Sequence, residues 1–315
     1  MTGPDVRRPA RVLGRPAGRL SADRCSVRAL ARGDSGVGTA SPAQRWLLVE
    51  QPGPWGVDAL TQSRFDPAVA PRLAHRAREE GVRVLLVRRP GDRLADTGRR
   101  WAYADGRPGR EGLWWSVRED DADIVDAPWD GSAGRPADGP TYLVCAHGGH
   151  DACCAVRGRP LAQAMPADDV WECSHLGGCR FAANVLVLPH GFYYGQVPGD
   201  GAPLVAAHAA GEVAPSWLRG RSGTAPPVQA AQQAAREELG LLGVDDLPAR
   251  EVRRLTPAGA EEERWVVTLA GPHGDVVIEV ASRPGPEGAR LTCRATHDAH
   301  PRLWSARPAA GRPAG

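Results

Sequence analysis

Apolar positions along the chain fall into short blocks whose spacing predicts alternating strands and helices. RWLLVE (45–50) is a continuous apolar run of strand length, and the breaker-rich QPGPWG follows it. Asp66-Pro67 carries the cap-then-proline signature of a helix start, and Gly81 that of its end. VRVLLVR (82–88) is the next strand, which completes a β-α-β unit. RRWAYA (99–104) and GLWWSVR (112–118) flank the turn-forming DGRPG and predict a hairpin. Residues 43–135 therefore make up a small α/β domain.

A joint rich in Pro, Gly and Asp (126–140) precedes the strand TYLVC (141–145). A helix from about Cys153 to Met165, a strand DVWEC (169–173) and the Gly-rich loop SHLGGC (174–179) come next. VLVLP and FYYGQV are strands joined at His190-Gly191, and a helix around 203–210 follows. That order suits a thioredoxin-like layer over residues 136–220. It sets both cysteine-bearing loops beside strand ends, where α/β sheets keep their sites. Beyond it, PPVQAAQQAAREELGLLG (226–243) predicts a helix with a glycine stop. ERWVVTLAG, GDVVIEVASR and ARLTCRA alternate like an antiparallel meander, so residues 225–300 are expected to form a small α+β appendage. Residues 1–42, rich in Arg, Gly, Pro and Ser without apolar periodicity, are expected to be a disordered tail, as are residues 301–315.

Composition narrows the function. The chain has 315 residues, a formal charge of +2 and no lysine, every basic side chain being arginine. With so much Ala, Gly and Pro, this is a coding bias, and arginine runs carry little weight as phosphate sites. The charge is too near neutral to make nucleic acid the expected partner. No run approaches eighteen apolar residues, which predicts no membrane span. The N-terminal stretch lacks the apolar region of a signal peptide, and Pro4, Pro9 and Pro16 break any amphipathic presequence helix, so a cytoplasmic location is expected. Five of the seven cysteines fall within residues 145–179. Without an export signal, such clustering points to metal binding or redox chemistry rather than disulfides.

The informative stretch is CAHGGHDACCAVRGRPLAQAMPADDVWECSHLGGCRFAANVLVLPHGFYYGQV, from Cys145 onward. Thiolates select zinc, copper(I) or iron–sulfur clusters, and imidazole is compatible with each. Two pairs stand out: Cys145 with Cys154, eight residues between them, and His175 with Cys179, three between them. Structural zinc usually takes ligand pairs about two to four residues apart, which fits the second pair and not the first. A longer span suits a larger object such as a two-iron cluster. On spacing, a cluster comes first, with a zinc ion and no metal both left open behind it.

The segments WLLVEQPGPWG, YLVCAHGGHDACCAVRGRPLA and SHLGGCRFAANVLVLPHGFYYGQV resemble the sucrase/ferredoxin-like family, over about residues 43–220. The resemblance implies a thioredoxin-like ferredoxin domain, with a small α/β domain before it and the α+β appendage after it. It also implies a [2Fe–2S] cluster. Fungal members carry two cysteines in the first segment and two histidines in an H-x-G-G-H version of the second. Carried over by position, Cys145, Cys154 and His175 match ligands. At position 179 a cysteine stands where the fungal pattern has histidine; Cys179 is preferred to Cys173 as fourth ligand because the three-residue spacing across Gly-Gly preserves the family geometry. Three thiolates and one neutral imidazole would raise the potential above that of four-cysteine ferredoxins. If His175 binds iron, its other ring nitrogen would couple electron uptake to protonation.

Other candidates read as structural. His147 and His150 are expected to line the loop rather than ligate, and Cys153 to be a small apolar group on the first turn of its helix. Cys25 and Cys293, in a tail and a strand, are expected to be unrelated. Arg157 and Arg180 either donate to cluster sulfurs or are solvated. Phe192-Tyr193-Tyr194 is read as core. The leading reading is a one-electron carrier or redox sensor that works with electron donor and acceptor proteins of unassigned identity and oligomeric state. A thiol–disulfide oxidoreductase and a zinc-stabilised interaction module are the alternatives. The chain has no C-x-x-C and no placed pair of carboxylates, so no glycosidase activity is expected.

Overall fold

The computed structural model describes residues 21–91, 99–285 and 288–309. It is a mixed α/β protein with one ten-stranded sheet and one four-stranded sheet. Helix α1 (Cys25–Arg32) is followed by β1 (Arg45–Glu50), α2 (Ala70–Glu79) and β2 (Arg83–Arg88), with β1 and β2 parallel as the β-α-β pattern requires. The hairpin of β3 (Arg100–Asp105) and β4 (Gly112–Val117) adds antiparallel to the other side of β1. The short helix α3 (Ala122–Asp126) and the two-residue β5 (Arg135–Pro136) close this half.

The second half runs β6 (Thr141–Cys145), α4 (Ala152–Ala164), β7 (Val170–Cys173), β8 (Val185–Leu188), β9 (Phe192–Tyr194), α5 (Ala202–Ala209) and β10 (Leu218–Arg221). β6 and β7 are parallel, and β8 pairs antiparallel on the other side of β6. The halves join through a short antiparallel contact of β2 with β7, Val87 facing Cys173 and Arg88 facing Glu172. The stretches 43–135 and 136–220 thus share a single sheet, in the order β10-β9-β8-β6-β7-β2-β1-β3-β4-β5. At the joint the Arg88 guanidinium donates to the buried Glu172 carboxylate at 2.8 Å and stacks 4.0 Å above the Trp55 ring.

β1 is buried on both faces, which explains its unbroken apolar run. Leu47 and Val49 pack with Leu73 and Phe65 under α2, while Trp46 and Leu48 face the opposite side. That opposite side is the layer where Cys25, Cys145, Cys153, Cys154, Cys173 and Cys179 lie. After α6 (Pro226–Leu239), the strands β11 (Ala249–Arg254), β12 (Glu263–Gly271), β13 (Gly274–Pro284) and β14 (Arg302–Pro308) form the second, wholly antiparallel sheet. α6 lies across one face of it, Val228, Ala231 and Ala235 packing with Trp265, Val267, Leu269, Ile278 and Val280.

Three local expectations change. Within the stretch read as a tail, residues 25–32 form α1, which buries Cys25, Ser26 and Ala29 and ends on Gly33 in the left-handed conformation. Its apolar face is too small to stand out among the surrounding arginines. Residues 302–308 pair with β13 instead of forming a disordered end, and ARLTCRA (289–295) is a turn-containing loop, not a strand. The β13 edge that ARLTCRA would have taken is occupied by β14, which brings Trp304 against Trp265 at 5.4 Å. The expectations for residues 1–20, with Pro4, Pro9 and Pro16, and for 310–315 fall outside the described residues. No helix among the described residues is long and apolar enough to cross a membrane.

Candidate metal centre

The candidate centre lies where the ends of β6 and β7 meet the start of α4. Cys145 is the last residue of β6, and its N–H donates to the Asn184 carbonyl at 3.0 Å. The chain turns tightly through His147, whose carbonyl accepts from the N–H groups of His150 and Asp151. Asp151 then caps α4, accepting from Cys153 N–H at 2.8 Å, which brings Cys154 into the first turn. His175 follows the end of β7, and Cys179 opens a 3-10 turn over Cys179–Phe181.

The Gly177-Gly178 pair between the latter two residues has a backbone reason. Both have positive φ, +93° and +73°, and a Cβ would lie 2.3 Å from the Ser41 hydroxyl at Gly177 and 2.5 Å from the Arg219 guanidinium at Gly178. Buried Arg219 braces this turn, donating to the Gly177 carbonyl at 3.1 Å and to Asn184 Oδ1 at 2.9 Å. Asn184 in turn donates to the Gly178 carbonyl at 2.9 Å.

Cys145, Cys154 and Cys179 are all buried, and His175 is half-buried. Cys145, Cys154 and His175 form one triad whose ligand atoms lie within 4.8 Å of one another. His150, His175 and Cys179 form a second triad, and Asp151, Cys154 and Cys179 a third. Cys179 Sγ is 3.7 Å from His175 Nδ1. Cys173 belongs to no such group among the described residues, although it faces Cys145 across the β6–β7 ladder. His150, expected only to line the loop, stacks on His175 with ring centroids 3.8 Å apart and lies within donor reach. His147 turns away: its Nε2 meets the Gly56 carbonyl at 3.0 Å, and its ring stands edge-on to Trp55.

The donors share protons unevenly. The hydrogen bond from Cys154, reinforced by His175, holds the Cys145 thiol well below its usual range, and the same Cys145–Cys154 contact pushes Cys154 well above it. Cys179 is drawn down to about 5 by Cys154 first and by the neighbouring histidines. Burial works against a charged His175, but its contacts with Cys145 and Cys179 outweigh that and raise it to about 9. A cation brought here would meet two sulfurs, Cys145 and Cys179, already biased toward thiolate, the form that binds metal, and would have to displace the proton from Cys154. His147, His150 and His175 also line a cavity of about 410 Å³, so the imidazole edge of the centre is open while its sulfurs are enclosed.

Neither arginine singled out in the sequence reaches a sulfur here. Arg157 donates to the Ser26 hydroxyl at 3.1 Å, and Arg180, buried rather than solvated, pairs with Asp34 at 3.6 Å and lies over the Phe181 ring. Phe192, Tyr193 and Tyr194 are core. The larger correction concerns the remaining cysteines. Cys25, Cys153 and Cys293 are not unrelated: their sulfurs lie 3.4 to 3.6 Å apart, beside Asp151. Only the doublet Cys153-Cys154 hinted at this, since adjacent helical residues point in different directions and serve different neighbours.

No curated protein and no solved structure matches the chain. The sequence pattern of one family, described as Sucrase/ferredoxin-like, matches residues 36–220 and so takes in β1 through β10 with both halves of the large sheet. The chain belongs to the sucrase/ferredoxin-like family.

Proposed function

We propose that Cys145, Cys154, His175 and Cys179 hold a [2Fe–2S] cluster in a thioredoxin-like ferredoxin domain, and that the protein is a one-electron carrier or redox sensor. The observation that carries this reading is the convergence of three buried thiols and one imidazole, from two loops, on overlapping donor triads. One tetrahedral zinc ion would hold its sulfurs about 3.8 Å apart, given Zn–S bonds of about 2.3 Å, in a single compact set. Triads that overlap through Cys154 and His175 suit donors spread over something longer than one ion. Strand order lends support: β7-β6-β8-β9, with a parallel β6-α4-β7 unit, a hairpin and then α5, follows the thioredoxin-like order.

Bound there, the cluster supplies a centre that accepts one electron and returns it. The protein's own residues set the terms. Three thiolates and one neutral imidazole bring one negative charge fewer than four thiolates, which favours the reduced state and raises the potential. Burial of Cys145, Cys154 and Cys179 keeps water from the sulfurs. His175, at the cavity wall, would keep one ring nitrogen able to hold a proton, so that electron uptake would couple to protonation there. Partner proteins that donate and accept the electron would approach from this histidine side.

The test is iron, sulfide and zinc analysis of anaerobically purified protein, with an EPR spectrum after reduction. Brown protein with two irons and two sulfides per chain is expected. Colourless protein loaded with zinc at this centre overturns the reading. His175→Cys should lower the potential and flatten its pH dependence; an unchanged pH profile removes His175 from the ligand set.

A further inference from the structure

Cys25, Cys153 and Cys293 come from three distant parts of the chain and meet in a triangle. Their Sγ atoms are separated by 3.6 Å (Cys25–Cys153), 3.4 Å (Cys153–Cys293) and 3.5 Å (Cys293–Cys25). A disulfide would draw two of them to about 2.05 Å and strand the third. Tetrahedral zinc, with Zn–S bonds of about 2.3 Å, needs sulfurs about 3.8 Å apart, within a few tenths of an ångström of what is observed. Asp151 supplies the fourth corner: its Oδ2 lies 3.7 Å from Cys25 Sγ, and all four ligand atoms lie within 4.8 Å of one another.

Asp151 is 1% exposed, and buried carboxylates need a partner for their charge. It accepts from the Cys153 N–H at 2.8 Å and the Cys293 N–H at 2.7 Å. A carboxylate has about four acceptor positions, so these two bonds orient it and leave capacity for a cation. Cys25 is the first residue of α1 and Cys153 lies in the first turn of α4. The positive end of α4 therefore favours the Cys153 thiolate.

We propose that Cys25, Cys153, Cys293 and Asp151 form a second metal site, which takes a structural zinc ion. Three soft thiolates and one carboxylate suit zinc over the hard cations, and a closed set of four protein ligands is the mark of a structural site. Its effect is that of a staple. It pins α1 and the loop holding Cys293 to the first turn of α4, across sequence separations of 128 and 140 residues. It also accounts for the cysteine doublet, Cys153 serving this site and Cys154 the other. Cys25 and Cys293 lie outside the stretch 36–220 that matches the family, so the site belongs to this chain and not to the family pattern.

Full-length protein purified with zinc and iron supplied is analysed for both metals. One zinc per chain is expected, lost in the Cys25→Ser/Cys293→Ser double variant with iron content unchanged. Cys145→Ser/Cys179→Ser should do the reverse, losing iron and keeping zinc. In the wild-type protein, zinc should slow alkylation of Cys25, Cys153 and Cys293, read by peptide mass spectrometry with and without a chelator. A first double variant that keeps as much zinc as the wild-type protein overturns the site, as does equal alkylation with zinc and with chelator, or a disulfide among the three in protein as isolated. The loss of one zinc in the first double variant and the alkylation readout do not depend on whether the first centre holds iron.

Discussion

Gly158→Ala is the sharpest test of how the fold positions the candidate centre. Gly158 lies within α4, where the helix rests directly on the end of β6. A Cβ built there would sit 2.0 Å from the Cys145 carbonyl oxygen and 3.0 Å from its carbonyl carbon. Since a Cβ does not tolerate contacts below 3.0 Å and the obstacle is backbone, helix and strand must separate by about 1 Å. Two effects compete. Alanine in a helix interior gains about 1 kcal/mol over glycine, while overpacking a close contact costs about 1–3 kcal/mol. The clash should win, lowering the melting temperature by a few degrees. The larger effect falls on the candidate ligands, because Cys145 lies on β6 while Cys153 and Cys154 lie on α4. A shift of about 1 Å is several times the roughly 0.2 Å that metal–ligand distances tolerate. Thermal unfolding and metal analysis of the variant should show modest destabilisation with a disproportionate loss of bound metal. Gly139→Ala is the control, since its Cβ would meet nothing within 4 Å. A Gly158→Ala protein with wild-type melting temperature and metal content would refute the argument.

Three further outcomes are expected. His208 is buried with its Nε2 2.7 Å from the Tyr194 hydroxyl, and burial lowers it to about 4. Its neutral form is the folded one, so its contribution is fully present above the ordinary histidine value of about 6.5 and is lost as pH falls from there toward 4, ~3 kcal/mol in all. Urea unfolding across that range should show the slope, and His208→Gln should flatten it; an equal slope in the variant assigns the effect elsewhere. Glu172→Leu leaves the Arg88 charge buried at the β2–β7 joint and should cost about 3–5 kcal/mol, most of it regained in Arg88→Met/Glu172→Leu, where no buried charge remains. Equal destabilisation of single and double variants in denaturant unfolding would contradict this. Arg219→Lys cannot span both Gly177 and Asn184, so metal bound at the candidate centre should fall while the far-ultraviolet circular dichroism spectrum holds; undiminished metal would show that the Gly-Gly turn needs no brace.

Much of the fold is legible in local pattern. β1, β2, β3, β4, β6, β7 and α4 lie close to where apolar runs, turn residues and caps predict them, and the parallel β1–β2 pairing follows from the β-α-β spacing. The Cys145–Cys154 and His175–Cys179 pairs are likewise readable, because each is carried by one loop whose length and glycines limit how far apart its donors can be. Helix α1 and strand β14 escaped because both look polar and arginine-rich by themselves. Each becomes an element only through what it packs against, Cys25 and Ala29 beneath α1, and β13 beside β14.

The sequence by itself determined most of the elements, the two candidate ligand pairs and the family, since each depends on neighbours a few residues apart. Only the tertiary structure decided that the two α/β stretches share one sheet, through two facing residue pairs between β2 and β7. It alone brought Cys25 to Cys293 across 268 residues. The physical reason is the same in both cases. A local pattern reports which face of an element is buried, and what that face meets is settled only when the whole chain packs.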